Sequence, residues 1–350
     1  TLCASLLSTA LSWEFGGIGE AAADGEPRPG LGASVVRPPR ATAAAWSELL
    51  RTTDLLAAAV EMNTAQAAAG VRLSGGSSGL DGSSELMHAP QQLLVSLASV
   101  SRLVFEPFDE THIRHASLLL STAAQLTATA PTSGAGGAAA IGAPVMGDAA
   151  FMNGCVILQR LVACSGAEAL LKLPAESVEG MLRLLHTASL HALQTSIALQ
   201  AAGDTDELNG VPVGAVVDGL DVLMEAWVSL LCGTISASSR PPSLTAAAWA
   251  VYEASVHARL HACSEEAARE AEDEVEEGCE DEDREHERMC ALATLGRAKL
   301  PDAAALLIAR LDGCTSQLRS YCELVSAQGA AAAERAGASA ARLASLHEQC

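Results

Sequence analysis

The sequence predicts an all-α protein: a single segment, residues 1–350, built as a solenoid of antiparallel helix pairs. Three observations support this prediction. Hydrophobic residues make up 49% of the chain and aromatic residues only 3%, and the abundant Ala and Leu favour helices over strands. Apolar residues recur at helical spacing, and no segment alternates with period two over the length of a strand. Segments rich in Gly, Pro or acidic residues separate the helical segments into pairs, as in stacked helical repeats.

The first half of the chain alternates predicted helices with flexible linkers. Helical apolar patterns cover residues 2–15, 42–60, 85–104 and 109–126. Gly, Pro, Ser and Ala concentrate elsewhere, and this composition predicts loops at 16–40, 70–84 and 131–148. Pro107 ends the third helix, so the third and fourth are predicted to form a pair joined by a short loop.

The second half is predicted to hold longer amphipathic helices. They cover residues 149–164, 176–201, 220–231, 243–263, 288–300 and 301–325. Ser243 is predicted to cap one helix, and Pro301 suits the first turn of another, where its missing N–H is not needed. From Ala303 to Val325 the apolar residues step by three or four without interruption, which predicts a buried face. Residues 329–350 are Ala-rich and are predicted to form a frayed helix.

The acidic insertion at 264–287 is the strongest local signal in the sequence. The net charge of the chain is −21, and residues 265–287 contain 14 Asp or Glu and 2 Arg, so this run contributes −12. Such a run is either a solvated loop that keeps the protein soluble or a docking loop for a basic protein surface. The acidic balance argues against nucleic acid as a partner. The residues predicted to bind a partner are Glu272, Asp273, Glu274, Glu276, Glu277, Glu280, Asp281, Glu282 and Asp283.

Ten cysteines lie mostly inside apolar helical patterns without short regular spacing, which predicts reduced thiols in the cytosol or nucleus. No apolar run reaches membrane-spanning length, so membrane insertion is not expected. The chain starts without Met and without a signal-like segment, so we expect a piece of a longer polypeptide.

Candidate chemistry is sparse. His257 and His261 lie four apart on one helix with Cys263 nearby, as in a metal site, but Ala258 stands where the metalloprotease motif has Glu. We therefore interpret these residues, and likewise His112 and His115, as ordinary helix histidines. The Gly-rich segments lack the Lys of a phosphate loop. The sequence thus predicts no catalytic, cofactor-binding or metal-ligating residue and no enzyme, although a hydrolase with a metal at His257 and His261 remains a rival hypothesis.

Several blocks occur in an order that resembles exportins, nuclear transport receptors of the importin-β (karyopherin) superfamily. They are LSTALSWEF, AWSELLRTTDLLAAAVEM, APQQLLVSLASVSRLVFEPFDE, LDVLMEAWVSLL, VYEASVHARL, the acidic run, and ERMCALATLGRAKLPDAAALLIARLDGCTSQLRSY. The resemblance rests on the order of these blocks over nearly the whole chain and not on any single motif.

The resemblance implies a HEAT-like receptor that shuttles between nucleus and cytoplasm. Such receptors bind the small GTPase Ran in its GTP form together with protein cargo, cross the pore by contacting nuclear pore proteins, and release cargo after hydrolysis of the GTP. Cargo of the family includes a hypusine-bearing translation factor and Smad-type regulators, and some members also import cargo. The chain is shorter than a complete receptor, so it would be an inner portion. The alternative is a helical-repeat scaffold for protein–protein interaction with no transport role.

Overall fold

The computed structural model describes residues 48, 54–73, 82–100, 110–128, 146–201, 213–233, 240–270 and 281–328. This part contains ten helices and no strand, so the all-α prediction is confirmed for it. In chain order they are α1 Leu55–Leu73, α2 Gly82–Ala98, α3 Glu110–Ala128, α4 Met146–Ser165, α5 Ala167–Leu170, α6 Ala175–Ala201, α7 Val213–Cys232, α8 Pro242–Glu270, α9 Asp281–Arg297 and α10 Leu300–Gln328.

The boundaries of α3, α4, α6 and α10 agree with the apolar patterns to within three residues. Helices α1, α7, α8 and α9 each extend at least seven residues beyond the predicted range at one end, and α2 ends six residues before its predicted end, so several linkers are shorter than predicted. Helix α1 continues to Leu73 and α2 begins at Gly82, so both enter the segment 70–84 that was predicted as a loop. Helix α4 likewise begins at Met146, inside the predicted loop at 131–148. The predicted helix at 2–15, the predicted loop at 16–40 and the predicted frayed helix at 329–350 lie outside the described residues.

The start of α8 corrects one sequence prediction. Ser243 was expected to cap this helix, but the helix already includes Pro242. The carbonyl oxygen of Pro241 accepts the backbone N–H groups of Leu244 and Thr245 at 3.0 and 3.3 Å. Pro242 therefore occupies the first helical turn, where its fixed φ suits a helix and its missing N–H leaves no partner unsatisfied. The predicted position of Pro301 in the first turn of α10 is confirmed.

Helix contacts follow a regular order along the chain. The consecutive helices α1 and α2, α3 and α4, α6 and α7, and α8 and α9 pack against each other. The helices at 85–104 and 109–126, which were predicted to form a pair, correspond to α2 and α3 and belong instead to two different pairs. In addition, α2, α4, α7 and α9 contact one another in that sequence, and so do α1, α3, α6 and α8. The single-turn helix α5 lies against α4 and α7, and α10 packs mainly on α9. Each helix therefore contacts chiefly its own partner and the corresponding helix of the preceding or following pair.

The buried apolar side chains form one cluster that extends from Leu56 in α1 to Ala303 in α10. Trp227 and Phe151 are its largest fully buried members. Close approach between α4 and α7 depends on Gly219, because a Cβ there would lie 2.9 Å from the ring of Phe151. The apolar stripes predicted for α2 and α7 are confirmed, since Leu93 and Leu97 and the region around Trp227 are buried in this cluster.

Helix α10 departs from its predicted burial. Ala303 and Cys314 are buried, but Leu307 and Leu311 of the same predicted stripe are 50% and 47% exposed. The side of α10 that faces the rest of the protein is offset around the helix from the stripe and includes Arg310, which contacts His257 of α8. The helical spacing of apolar residues predicts that one face of the helix is apolar, but it does not predict how much of that face is buried against another helix.

Candidate functional site

The acidic insertion is partly helical. It was predicted to be a loop at 264–287, but α8 extends to Glu270 and α9 begins at Asp281. Asp281, Glu282 and Asp283 therefore belong to the first turn of α9. The other predicted partner-binding residues lie outside the described part of the chain. They are Glu272, Asp273, Glu274, Glu276, Glu277 and Glu280.

An ionic cluster, which we call the anchor network, fastens the start of α9 to α7. It consists of Asp218, Asp221, Arg284 and Arg288. Arg284 Nε donates to Asp221 Oδ2 at 2.7 Å, and its terminal nitrogen pairs with Asp218. Arg288 binds the same carboxylate through both oxygens, at 2.6 Å from Nε to Oδ1 and 3.0 Å from Nη2 to Oδ2. The Asp221 side chain is only 25% exposed, so water screens these contacts less than those of a fully exposed pair.

A second contact holds α9 from the other side. Arg259 on α8 donates to both carboxylate oxygens of Glu285, at 2.9 and 2.7 Å. A bidentate pair of this kind orients the two side chains relative to each other in addition to neutralising their charges. The first half of α9, directly after the acidic segment, is therefore tied to both α7 and α8.

Carboxylates crowd the border between α7 and α9. Glu225 on α7 accepts a hydrogen bond from Gln159 Nε2 on α4 at 3.1 Å. Burial raises the pKa of Glu225, and the nearby charges of Glu287 and Asp221 raise it further, against the opposing effects of Gln159 and Arg160. Burial and the neighbouring carboxylates thus make the ionised form of Glu225 less favourable than in water.

The turn from α9 to α10 is closely packed against α8. A Cβ at Gly296 would lie 2.9 Å from the ring of Tyr252, so α9 approaches α8 more closely there than a larger residue would permit. The ring of Trp249 lies 5.5 Å from that of Tyr252, and the Nζ of Lys299 stands 5.4 Å from the Trp249 centroid. This end of α9 is fixed by apolar and aromatic contacts rather than by ion pairs.

The histidines singled out in the sequence do not assemble a site. His257 and His261 are exposed on α8, and His112 is buried in α3. His115 Nε2 lies 3.3 Å from the carbonyl oxygen of Leu97 on α2. Burial lowers the pKa of His115 to about 4, an effect that the hydrogen bond to Leu97 opposes and the charge of His112 assists. Among the described residues, no three His, Cys, Asp or Glu side chains are grouped to hold a metal ion.

A shallow groove of about 250 Å³ lies between α3 and α6. Leu120, Met181 and Leu184 form its apolar walls, with Ser117, Ser121 and Ser177 beside them. The groove therefore offers a concave, largely apolar surface with hydroxyl groups beside it.

The anchor network was missed by the sequence interpretation, although it leaves a recognisable signal. Asp218, Asp221 and Glu225 are three and four residues apart, which places them on one face of α7. Arg284 and Arg288 are four apart, the first inside the acidic run and the second directly after it. Complementary charge patterns on two helical segments indicate a contact, but only the fold brings residues more than sixty positions apart together.

No protein-family model, no curated protein and no solved structure matches this chain. None of the helices in the described part is long and apolar enough to cross a membrane.

Proposed function

We propose that this chain is a segment of a HEAT-like solenoid of antiparallel helix pairs and that it acts by binding other proteins. The observation that supports this proposal is the order of helix contacts, in which each pair touches chiefly the pairs before and after it. Stacked repeats of this kind present extended surfaces, and small rotations between neighbours add up to changes of curvature. A stack of helix pairs that presents such surfaces suits recognition of macromolecules better than catalysis on a small substrate.

The proposed role of the solenoid is nuclear transport. The collinear sequence blocks resemble exportin four, with exportin seven as the sister receptor. On this proposal the partners are GTP-bound Ran, protein cargo and nuclear pore proteins, and the segment belongs to a receptor that shuttles between nucleus and cytoplasm.

The acidic segment between α8 and α9 is the proposed contact for basic surfaces of Ran or cargo. Its chemistry fits a cationic partner, because residues 265–287 carry a net charge of −12. Charge of this kind raises association rates more than final affinity and acts over about 10 Å at 0.1 M salt. A hypusine side chain is cationic and would be recognised by the same carboxylates.

The test is a binding measurement with purified Ran loaded with GTP or GDP, and with a basic cargo protein. One variant replaces the acidic residues at 272, 273, 274, 276, 277 and 280 by their amides, which removes charge and keeps length. The control variant replaces the exposed Glu110, Glu176, Glu179 and Glu253, which lie on other helices, by Gln. We expect binding to depend on the nucleotide, and we expect the association rate to fall in the first variant and not in the second.

The rival proposal is a scaffold with no transport role. It has the same helical array as support and predicts that binding is indifferent to the nucleotide on Ran. Equal binding of both Ran forms would therefore favour the scaffold. An unchanged association rate in the first variant would remove the acidic segment from the proposed interface, whichever of the two functions holds.

A further inference from the structure

We propose that the first half of α9 is an electrostatic latch, which opens and closes on α7 and α8 while the second half of the helix stays packed. The latch comprises the described residues 284–290 of α9. Its only apolar members are Met289 and Cys290, and both are exposed. The first apolar side chains of α9 that pack against the core are those of Ala291 and Leu292.

The described ionic attachments of the latch come from three side chains. Arg284 and Arg288 reach Asp221 at 2.7 and 2.6 Å, and Glu285 reaches Arg259 at 2.7 Å. All of these groups are at least a quarter exposed, so mobile ions reach them. Attachments of this type weaken as salt screens them, whereas apolar burial does not.

The second half of α9 has the opposite character. Leu295 is fully buried, and Gly296 lies against the ring of Tyr252. A helix with ionic contacts at one end and apolar contacts at the other has two regions of different local stability, and the ionic end opens first.

Opening of the latch has a defined consequence for the acidic insertion. The first residue of α9 that is held against the rest of the protein would then be 291 rather than 284. Opening also uncovers Asp218 and Asp221 on α7, so the acidic surface gains carboxylates that arginines now neutralise. This inference rests on the contacts of α9 and does not depend on the proposed role in transport.

The test is hydrogen exchange of the full chain, read by mass spectrometry at about 0.05 M and about 1 M NaCl, where the Debye length falls to about 3 Å. Each ion pair shifts the equilibrium between the closed and the open latch by a few fold. We therefore expect exchange of the 284–290 amides to accelerate roughly tenfold at high salt. Amides of 292–297 and of α4 should change little. Asp221→Asn should give fast exchange at 284–290 at both salt concentrations.

Asp302→Asn is the matched control, because it removes the same charge from the Lys299 pair outside the latch. It should keep the salt response of the unaltered chain. If Asp221→Asn does not fold, Asp218→Asn replaces it and should give a partial effect, since Asp218 is half exposed and, among the described residues, pairs with Arg284 alone. Uniform exchange along α9 at both salt concentrations, or an unaltered salt response in the foldable Asp variant, would overturn the proposal.

Discussion

The indole Nε1 of Trp227 donates a hydrogen bond to the Oγ of Ser189 at 3.1 Å, and both side chains are fully buried. The bond joins α7 to α6 within one of the helix pairs. A buried indole N–H without a partner is costly, so this contact fixes how the two helices face each other as well as satisfying the donor.

Replacing Ser189 by Ala should destabilise the protein. The change leaves the N–H of Trp227 buried without its acceptor, which costs about 1–3 kcal/mol, and Ala recovers a few tenths of that through its higher helix propensity. We expect urea unfolding to report a net loss of about 1–2 kcal/mol. In a Trp227→Phe background the same substitution should cost clearly less, because no donor remains to be satisfied. Equal costs in the two backgrounds would show that the hydrogen bond does not contribute.

Two glycines in helices should respond to Ala in opposite directions. At Gly154 an added Cβ would lie 2.8 Å from Thr127 Cγ2, 3.1 Å from Leu126 Cβ and 3.3 Å from the carbonyl oxygen of Ala123. Part of this obstacle is backbone, so Gly154→Ala should force α3 and α4 apart and cost about 1–3 kcal/mol.

Gly180 is the matched control for this prediction, since nothing lies within 4 Å of its added Cβ. Gly180→Ala should stabilise α6 by up to about 1 kcal/mol through helix propensity. Thermal unfolding of the two variants checks both signs, and each kcal/mol should move Tm by about 2–4 °C. A gain in Tm for Gly154→Ala would contradict the close approach of α3 and α4.

The sequence predicts the helices of this protein better than their environment. Spacing of apolar residues locates Leu93, Leu97 and Trp227 in the core, because helical period is a local property that a single segment carries. The predicted start of α8 was wrong, because Pro242 and Ser243 both favour a helix start. Only the backbone geometry decides between the two residues.

Features that depend on two distant segments were not predictable. Asp221 and Arg288 meet only after α7 and α9 pack, so the segment 281–287 was interpreted as a loop, although it is helical and Arg284 within it binds Asp221. Exposure of Leu307 has the same origin, because the amount of a face that is covered depends on the neighbours present. The predicted contacts of the acidic residues at 272–280 remain predictions.

Protonation of His115 should make stability fall in mildly acidic solution. Its pKa is about 4 in the folded protein and about 6.5 when unfolded. Between these values the unfolded chain binds a proton that the folded chain does not, so stability is full above pH 6.5 and declines as pH falls to 4. In His115→Gln the amide keeps a donor near Leu97 and does not titrate. Between pH 6.5 and pH 4, we expect the free energy of unfolding of this variant to fall by on the order of 2 kcal/mol less than that of the unaltered chain. The exposed His261→Gln is the control and should follow the unaltered chain in urea titrations at each pH.

Removing the charge of Glu225 should stabilise the protein at neutral pH. Burial raises its pKa, and the charges of Glu287 and Asp221 add to this effect. For an acid with a raised pKa in the folded state, the charged form costs stability once the pH exceeds that pKa, and the cost is absent below the unfolded value. Glu225→Gln resembles the protonated side chain and keeps an acceptor for Gln159. Urea unfolding at pH 7 and pH 4 should therefore show a gain in the free energy of unfolding at pH 7 that disappears at pH 4.

The control is Glu179→Gln on α6, where the side chain is exposed, and it should show little change at either pH. A gain of equal size in this control would assign the effect to net charge rather than to the crowding of carboxylates around Glu225.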